Sequence, residues 1–125
     1  MAVNYDAATK TARMAATILQ IDVNALPAYI EICTASFAAT LVTITLSDPS
    51  FTESGGVITM AGAPKSGVAA NAGTATVARI KDGGGTTKVN NLTVGTSGAD
   101  VILNSTTVSV GQTVTLTSAT ITHAT

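Results

Sequence analysis

The stretch Leu41-Val42-Thr43-Ile44-Thr45-Leu46 alternates apolar and hydroxyl side chains and puts Val42, Ile44 and Leu46 on one face. A period of two is that of a strand with one face in a core and the other toward water. Threonine suits the outer face, because its branched Cβ already restricts χ1. Working outward, Tyr29–Thr34 reads as a preceding strand and Val57–Met60 as a following one. Asp48-Pro49-Ser50 and Ser54-Gly55-Gly56 supply turn signals between them. Residues Ala61 to Gly73 contain Gly62, Pro64, Gly67 and Gly73 with little periodicity and read as a surface loop.

Strand-like patterning resumes at Thr74–Lys81. Asp82-Gly83-Gly84-Gly85 breaks it with a hairpin signal, and Lys88–Val94 is the expected return strand. Beyond a turn at Gly95–Asp100 come Val101–Leu103, Thr107–Val110 and Thr113–Thr117. The apolar phase slips near Ser118, since Val114 and Leu116 are even and Ile121 is odd. A bulge or a change of sheet accounts for that.

The first residues have a different period. Asn4 to Ile21 is rich in Ala and free of Gly and Pro, with Asn4 as the expected N-cap and Asp6 in the first turn. Ala7, Met14, Ile18 and Ile21 share one side at helical spacing, and Ala8, Ala15 and Leu19 widen that face. Asp6, Lys10, Arg13, Thr17 and Gln20 group opposite. The helix is expected to end before Pro27, whose ring biases Leu26 toward extended backbone. The expectation is a mainly β chain: an antiparallel β-sandwich or jelly-roll-like barrel of seven to eight short strands with an N-terminal α-helix. The 125 residues fit a single domain, with 1–26 as helix and linker and 27–125 as the β-sandwich.

Composition narrows the function. Thr, Ala, Gly and Ser make up about half the chain, charged residues 10% and aromatic residues 3%. A net charge of −1 with six Lys and Arg leaves no electrostatic footprint for nucleic acid. One Cys and one His exclude a disulfide framework and a Cys/His metal cluster. No apolar run reaches the ~18 residues that would span a bilayer. Met14–Ile21 after Lys10 and Arg13 has the outline of a signal peptide, but Asp6, Gln20 and Asp22 argue for an amphipathic helix instead. A weakly charged surface does little to repel neighbours, which suits a protein that lives in an assembly.

The residues capable of chemistry read as structural. His123 lies near the end of the chain, where the positioned partners of a catalytic base are poorly supplied, and Cys33 sits beside Ile32 as a small buried hydrophobe. The seven carboxylates are scattered, and Gly83-Gly84-Gly85 lacks the Lys-Ser/Thr of a phosphate loop. Arg79, Lys81 and Lys88 gather near one hairpin as a small basic spot, without aromatic neighbours for stacking on bases. No catalytic residue, cofactor or metal is implied.

Several blocks of the chain resemble small virion proteins of tailed bacteriophages. They are Thr43–Ser50, Ser54–Val57, Ala63–Ser66, Gly73–Ala75, Ala78–Ile80, Leu92–Ser105 and Val110–Thr115. The resemblance implies a phage particle as the context and a capsid decoration (cement) protein as the role. Such proteins typically coat the outer shell, often as trimers, and bridge neighbouring capsomers. It implies a homo-oligomer that contacts the major capsid protein or another virion protein, made in the host cytoplasm, with no nucleic acid or membrane as partner. The contacts are expected at the N-terminal segment, with Tyr5 and Arg13, in the loop Ala61–Gly73, with Pro64 and Lys65, and at Arg79. A neck, tail or fibre-attachment component of the virion is the alternative, and a secreted surface- or glycan-binding β-module a further one.

Overall fold

The computed structural model describes residues 4–123. The chain is mainly β with an N-terminal helix, as the patterning predicts. Helix α1 (Ala7–Ile21) is followed by strands β1 (Tyr29–Cys33), β2 (Thr40–Thr45), β3 (Phe51–Ser54), β4 (Val57–Met60) and β5 (Lys65–Val68). After these come β6 (Gly73–Thr74), β7 (Val77–Lys81), β8 (Thr87–Gly95), β9 (Val101–Leu103), β10 (Thr107–Val108) and β11 (Thr113–Thr122). The main sheet runs β2-β1-β7-β8-β9-β11-β4-β3 and curls into a half-barrel. Its pairs are antiparallel except β8–β9, which meet in parallel at Val94–Val101 and Gly95–Ile102. Strands β6 and β10 form a separate two-stranded ribbon.

Register explains the core. Ile44, Ile30, Ile80 and Val89 lie opposite one another across β2, β1, β7 and β8, and Val42, Ile32, Ala78 and Leu92 form the next row. Apart from the half-buried Val89, these side chains are buried, whereas Thr43 and Thr45 of β2 are exposed. The two-residue alternation of β2 is therefore continued by its neighbours through cross-strand packing. On the outer face the same register sets Glu31 opposite Arg79.

Strand β11 organises the other half. On one edge it pairs with β9, and the register shifts between Leu116 and Ser118, so the phase slip is a bulge. On its other edge it pairs with β4 at Thr120–Thr122 and with β5 at Thr113–Leu116. The expected loop Ala61–Gly73 thus contains a strand. Lys65-Ser66-Gly67-Val68 shows no apolar alternation, because its place comes from backbone pairing and from contact with β2. A Cβ on Gly67 would lie 3.0 Å from the Thr43 carbonyl oxygen and 3.0 Å from Val42 Cγ2. Strand β3, hidden between two turn signals, pairs with β4 through a two-residue turn in which Gly55 and Gly56 have φ of 60° and 85°. The second half of Thr74–Lys81 is β7, while Gly73 and Thr74 belong to the ribbon.

The helix is capped by Asp6, two residues beyond the expected Asn4. The Asp6 carboxylate accepts from the Thr9 N–H at 2.8 Å. The helix ends at Asp22, whose carboxylate accepts from the Ser50 N–H at 3.0 Å and ties the helix terminus to the start of β3. Met14 and Ile21 enter the core, Ile18 packs against it, and α1 lies on β3 and β4.

Candidate interaction surface

The helix buries a narrower stripe than its sequence suggests. Met14, Ile18 and Ile21 point inward at steps of four and three. Ala7, Ala8, Ala12, Ala15, Ala16 and Leu19, expected in part on the same face, are exposed to solvent. At 100° per residue, Ala8, Ala12, Ala15 and Leu19 form a second apolar stripe on the far side of α1, without a charged residue. The stripe runs on into the linker: Leu19, Val23 and Leu26 are 71%, 56% and 66% exposed. Periodicity could not separate the two stripes, since both are apolar and only the sheet chooses which one it covers.

Beside that stripe, a groove of about 450 Å³ separates α1 from β8. Arg13, Met14, Ala16, Thr17 and Gln20 line it from the helix, Lys88 from β8, and His123 from the end of the chain. Tyr5 and Arg13, both expected as contact residues, are brought together here, with the guanidinium carbon 4.5 Å from the centre of the Tyr5 ring. The His123 ring meets Tyr5 edge-on at 5.3 Å. The His123 N–H donates to the Gly56 carbonyl at 2.9 Å, so this residue is bound to the β3–β4 turn.

The remaining expected contact residues have other surroundings. Pro64 is exposed in the connection from β4 to β5, and the Lys65 ammonium donates to the Ser47 hydroxyl at 2.7 Å. Arg79 donates to Glu31 at 2.7 Å and lies over the Phe37 ring, while the Lys81 ammonium reaches the same carboxylate at 3.2 Å. Burial pushes the Glu31 pKa up, but hydrogen bonds from Arg79 and Lys81 outweigh it and hold the group below its ordinary value. Two members of the basic spot are therefore engaged inside the chain.

The third, Lys88, is 3.6 Å from Asp82. Asp82 holds the β7–β8 hairpin together: one carboxylate oxygen accepts from Gly84 N–H at 2.9 Å and from Thr86 N–H at 3.0 Å. The Thr86 N–H leads in keeping the Asp82 pKa low, with burial opposing and Gly84 and Lys88 assisting. Gly83-Gly84-Gly85 is thus a hairpin tip. Its first glycine also lets the linker approach, because a Cβ on Gly83 would overlap the Leu26 carbonyl.

Cys33 is fully buried in β1. Among the described residues no group of three His, Cys, Asp or Glu is arranged to hold a metal ion. No helix among them is long and apolar enough to cross a membrane. Sequence reading missed Lys88 as a neighbour of Arg13, since only the return of β8 beside α1 joins them. It also missed that Val68 and Val110 are both exposed, on segments joined by the Gly111 N–H to Ala69 carbonyl bond (2.8 Å). No family model, curated protein or solved structure matches this chain.

Proposed function

We propose that this chain is a non-enzymatic structural protein of a tailed-phage virion, a capsid decoration (cement) protein that binds the outer shell and stabilises it. The observation that carries the reading is the uncharged stripe Ala8, Ala12, Ala15 and Leu19 on α1, continued by Val23 and Leu26. Alanine side chains let a partner backbone approach closely, and the larger exposed side chains gain free energy when a partner covers them. The resemblance of the strand and turn blocks to small virion proteins supplies the context. A protein that binds the assembled shell and not its separated subunits stabilises the shell by mass action, and many copies per particle multiply the effect.

The test is mechanical. Capsids lacking the protein assemble, but lose integrity at a lower temperature than complete particles, and added protein restores the difference. Capsids equally robust without it refute the cement role. A copy number of only a few per particle points instead to a neck or tail position.

A further inference from the structure

We infer that the groove between α1 and β8 is a receptor for a carboxylate carried by an acidic segment of the partner protein, with Arg13 as its principal ligand. The inference rests on the protein-binding role proposed above and adds to it the chemistry of the partner. Arg13 is oriented before any ligand arrives: its guanidinium lies 4.5 Å over Tyr5, and Tyr5 is braced edge-on by His123. Stacking uses the face of a guanidinium and leaves the N–H donors at its edge available, in the fork that matches a carboxylate. Among the described residues Arg13 forms no ion pair, whereas Arg79 and Lys81 share Glu31.

The electrostatics of the groove agree. Among the described residues its lining carries the cations Arg13 and Lys88 and neither Asp nor Glu. The Asp82 carboxylate stands 3.6 Å from the Lys88 ammonium, with its other oxygen taken by the Gly84 and Thr86 N–H groups. Lys88 therefore keeps donors for a second anion, since an ammonium has three. Thr17 and Gln20 add uncharged polar groups, and Met14 and Ala16 an apolar floor for the stem of an Asp or Glu side chain.

Recognition through a side chain fits better than addition of a strand. Beyond its contact with β9 at Val94 and Gly95, the outer edge of β8 has no strand partner among the described residues. That edge is bulged around Lys88 and again at Asn90–Asn91, where Asn91 has φ of 56°. Bulges of this kind interrupt the even row of backbone groups that an added strand needs. Nucleic acid is the poorer ligand, because the chain has net charge −1 and three of its six cations are engaged in ion pairs.

The experiment is an NMR titration of the full chain with a capped Gly-Glu-Leu-Glu-Gly peptide, its Gln counterpart, and inorganic phosphate. Expected are shifts at the Arg13 side-chain N–H, Thr17, Gln20 and Lys88 with the Glu peptide, weakening as salt rises, and none with the Gln peptide. Arg13→Gln should lower affinity for the Glu peptide about tenfold, the scale of a lost charge-assisted fork, and Arg13→Lys should recover part of it. Lys81→Gln, outside the groove, should leave it unchanged, and circular dichroism should show all three variants folded. Equal binding of the Gln peptide, shifts confined elsewhere, or phosphate saturating the site at lower concentration than the Glu peptide overturns the inference. Binding of Arg13→Gln to capsids separates the two readings. Glu-peptide binding with no capsid binding refutes the cement role alone. Capsid binding unaffected by Arg13→Gln refutes the receptor alone.

Discussion

Alanine substitution along Gly83-Gly84-Gly85 separates two demands that one glycine run meets. At Gly83 the demand is space: the added Cβ would overlap the Leu26 carbonyl oxygen and lie 2.6 Å from its carbon. Ordinary contact begins at 3.4 Å, so relieving the overlap with the oxygen moves the linker by more than an ångström. Forcing such a shift in a packed site costs ~1–3 kcal/mol. Reduced freedom of the unfolded chain returns ~0.4–1 kcal/mol, which leaves a net loss of about 1–2 kcal/mol. At Gly84 the nearest groups are the Asn24 amide at 3.2 Å and Asp82 Oδ1 at 3.4 Å, and the Asn24 side chain can move. Gly84→Ala should therefore stay within ~0.5 kcal/mol of the parent.

At Gly85 the demand is conformational. The nearest group to an added Cβ is the Tyr29 hydroxyl at 3.7 Å, but φ is 90°, where an L-residue costs ~1–2 kcal/mol. Urea and thermal unfolding followed by circular dichroism read the losses, at ~4 °C in Tm per kcal/mol for a chain of this size. Thermolysin distinguishes the two costly variants: Gly83→Ala should expose the bond before Leu26 to cleavage, and Gly85→Ala should not. If Gly83→Ala unfolds together with Gly84→Ala, or its linker is cut no faster than the parent's, the close approach of linker to hairpin is refuted.

Three further outcomes follow from the packing and the charges. Met14→Ala removes a core side chain that is 5% exposed and should cost ~2–5 kcal/mol; hydrogen exchange should show α1 amides losing protection before those of β1 and β7. Gly67→Val places atoms against Thr43, Val42 and Ile44 and should lower Tm by separating β5 from β2, so an unchanged Tm contradicts the closure of the half-barrel at that point. Asp6 is held low by Thr9, and Glu31 and Asp82 also lie below their ordinary values of 4.5 and 3.8. Depressed carboxylate pKa values contribute stability above the unfolded-state values, and that contribution is lost as pH falls below about 4.5 and through the folded-state values. Glu31→Gln should lower Tm at pH 7, because it leaves Arg79 and Lys81 without their shared partner, and should flatten the acid dependence.

What the residues determine alone is whatever depends on neighbours in the chain. The alternation of Leu41–Leu46, the Asp-Gly turn after Lys81 and the phase slip at Ser118 are local, and each appears where its sequence places it. The N-cap lies two residues beyond the expected Asn4 because Asn4 and Asp6 are both good caps, and the Asp6 bond to Thr9 decides between them. Tyr5 and Arg13 are named as contact residues only in the context of the resemblance to virion proteins, and their stacking is visible only in the folded chain.

The tertiary structure decided what one surface does to another. Lys65–Val68 is a strand only because β11 offers its edge, and Gly67 is needed there only because β2 lies across it. The helix has two apolar stripes of nearly equal merit, and the sheet covers Met14, Ile18 and Ile21 while leaving Leu19 to solvent. Burial is a property of pairs of surfaces. One strand's period shows that it has an inside, and only the packed chain shows which face remains for a partner.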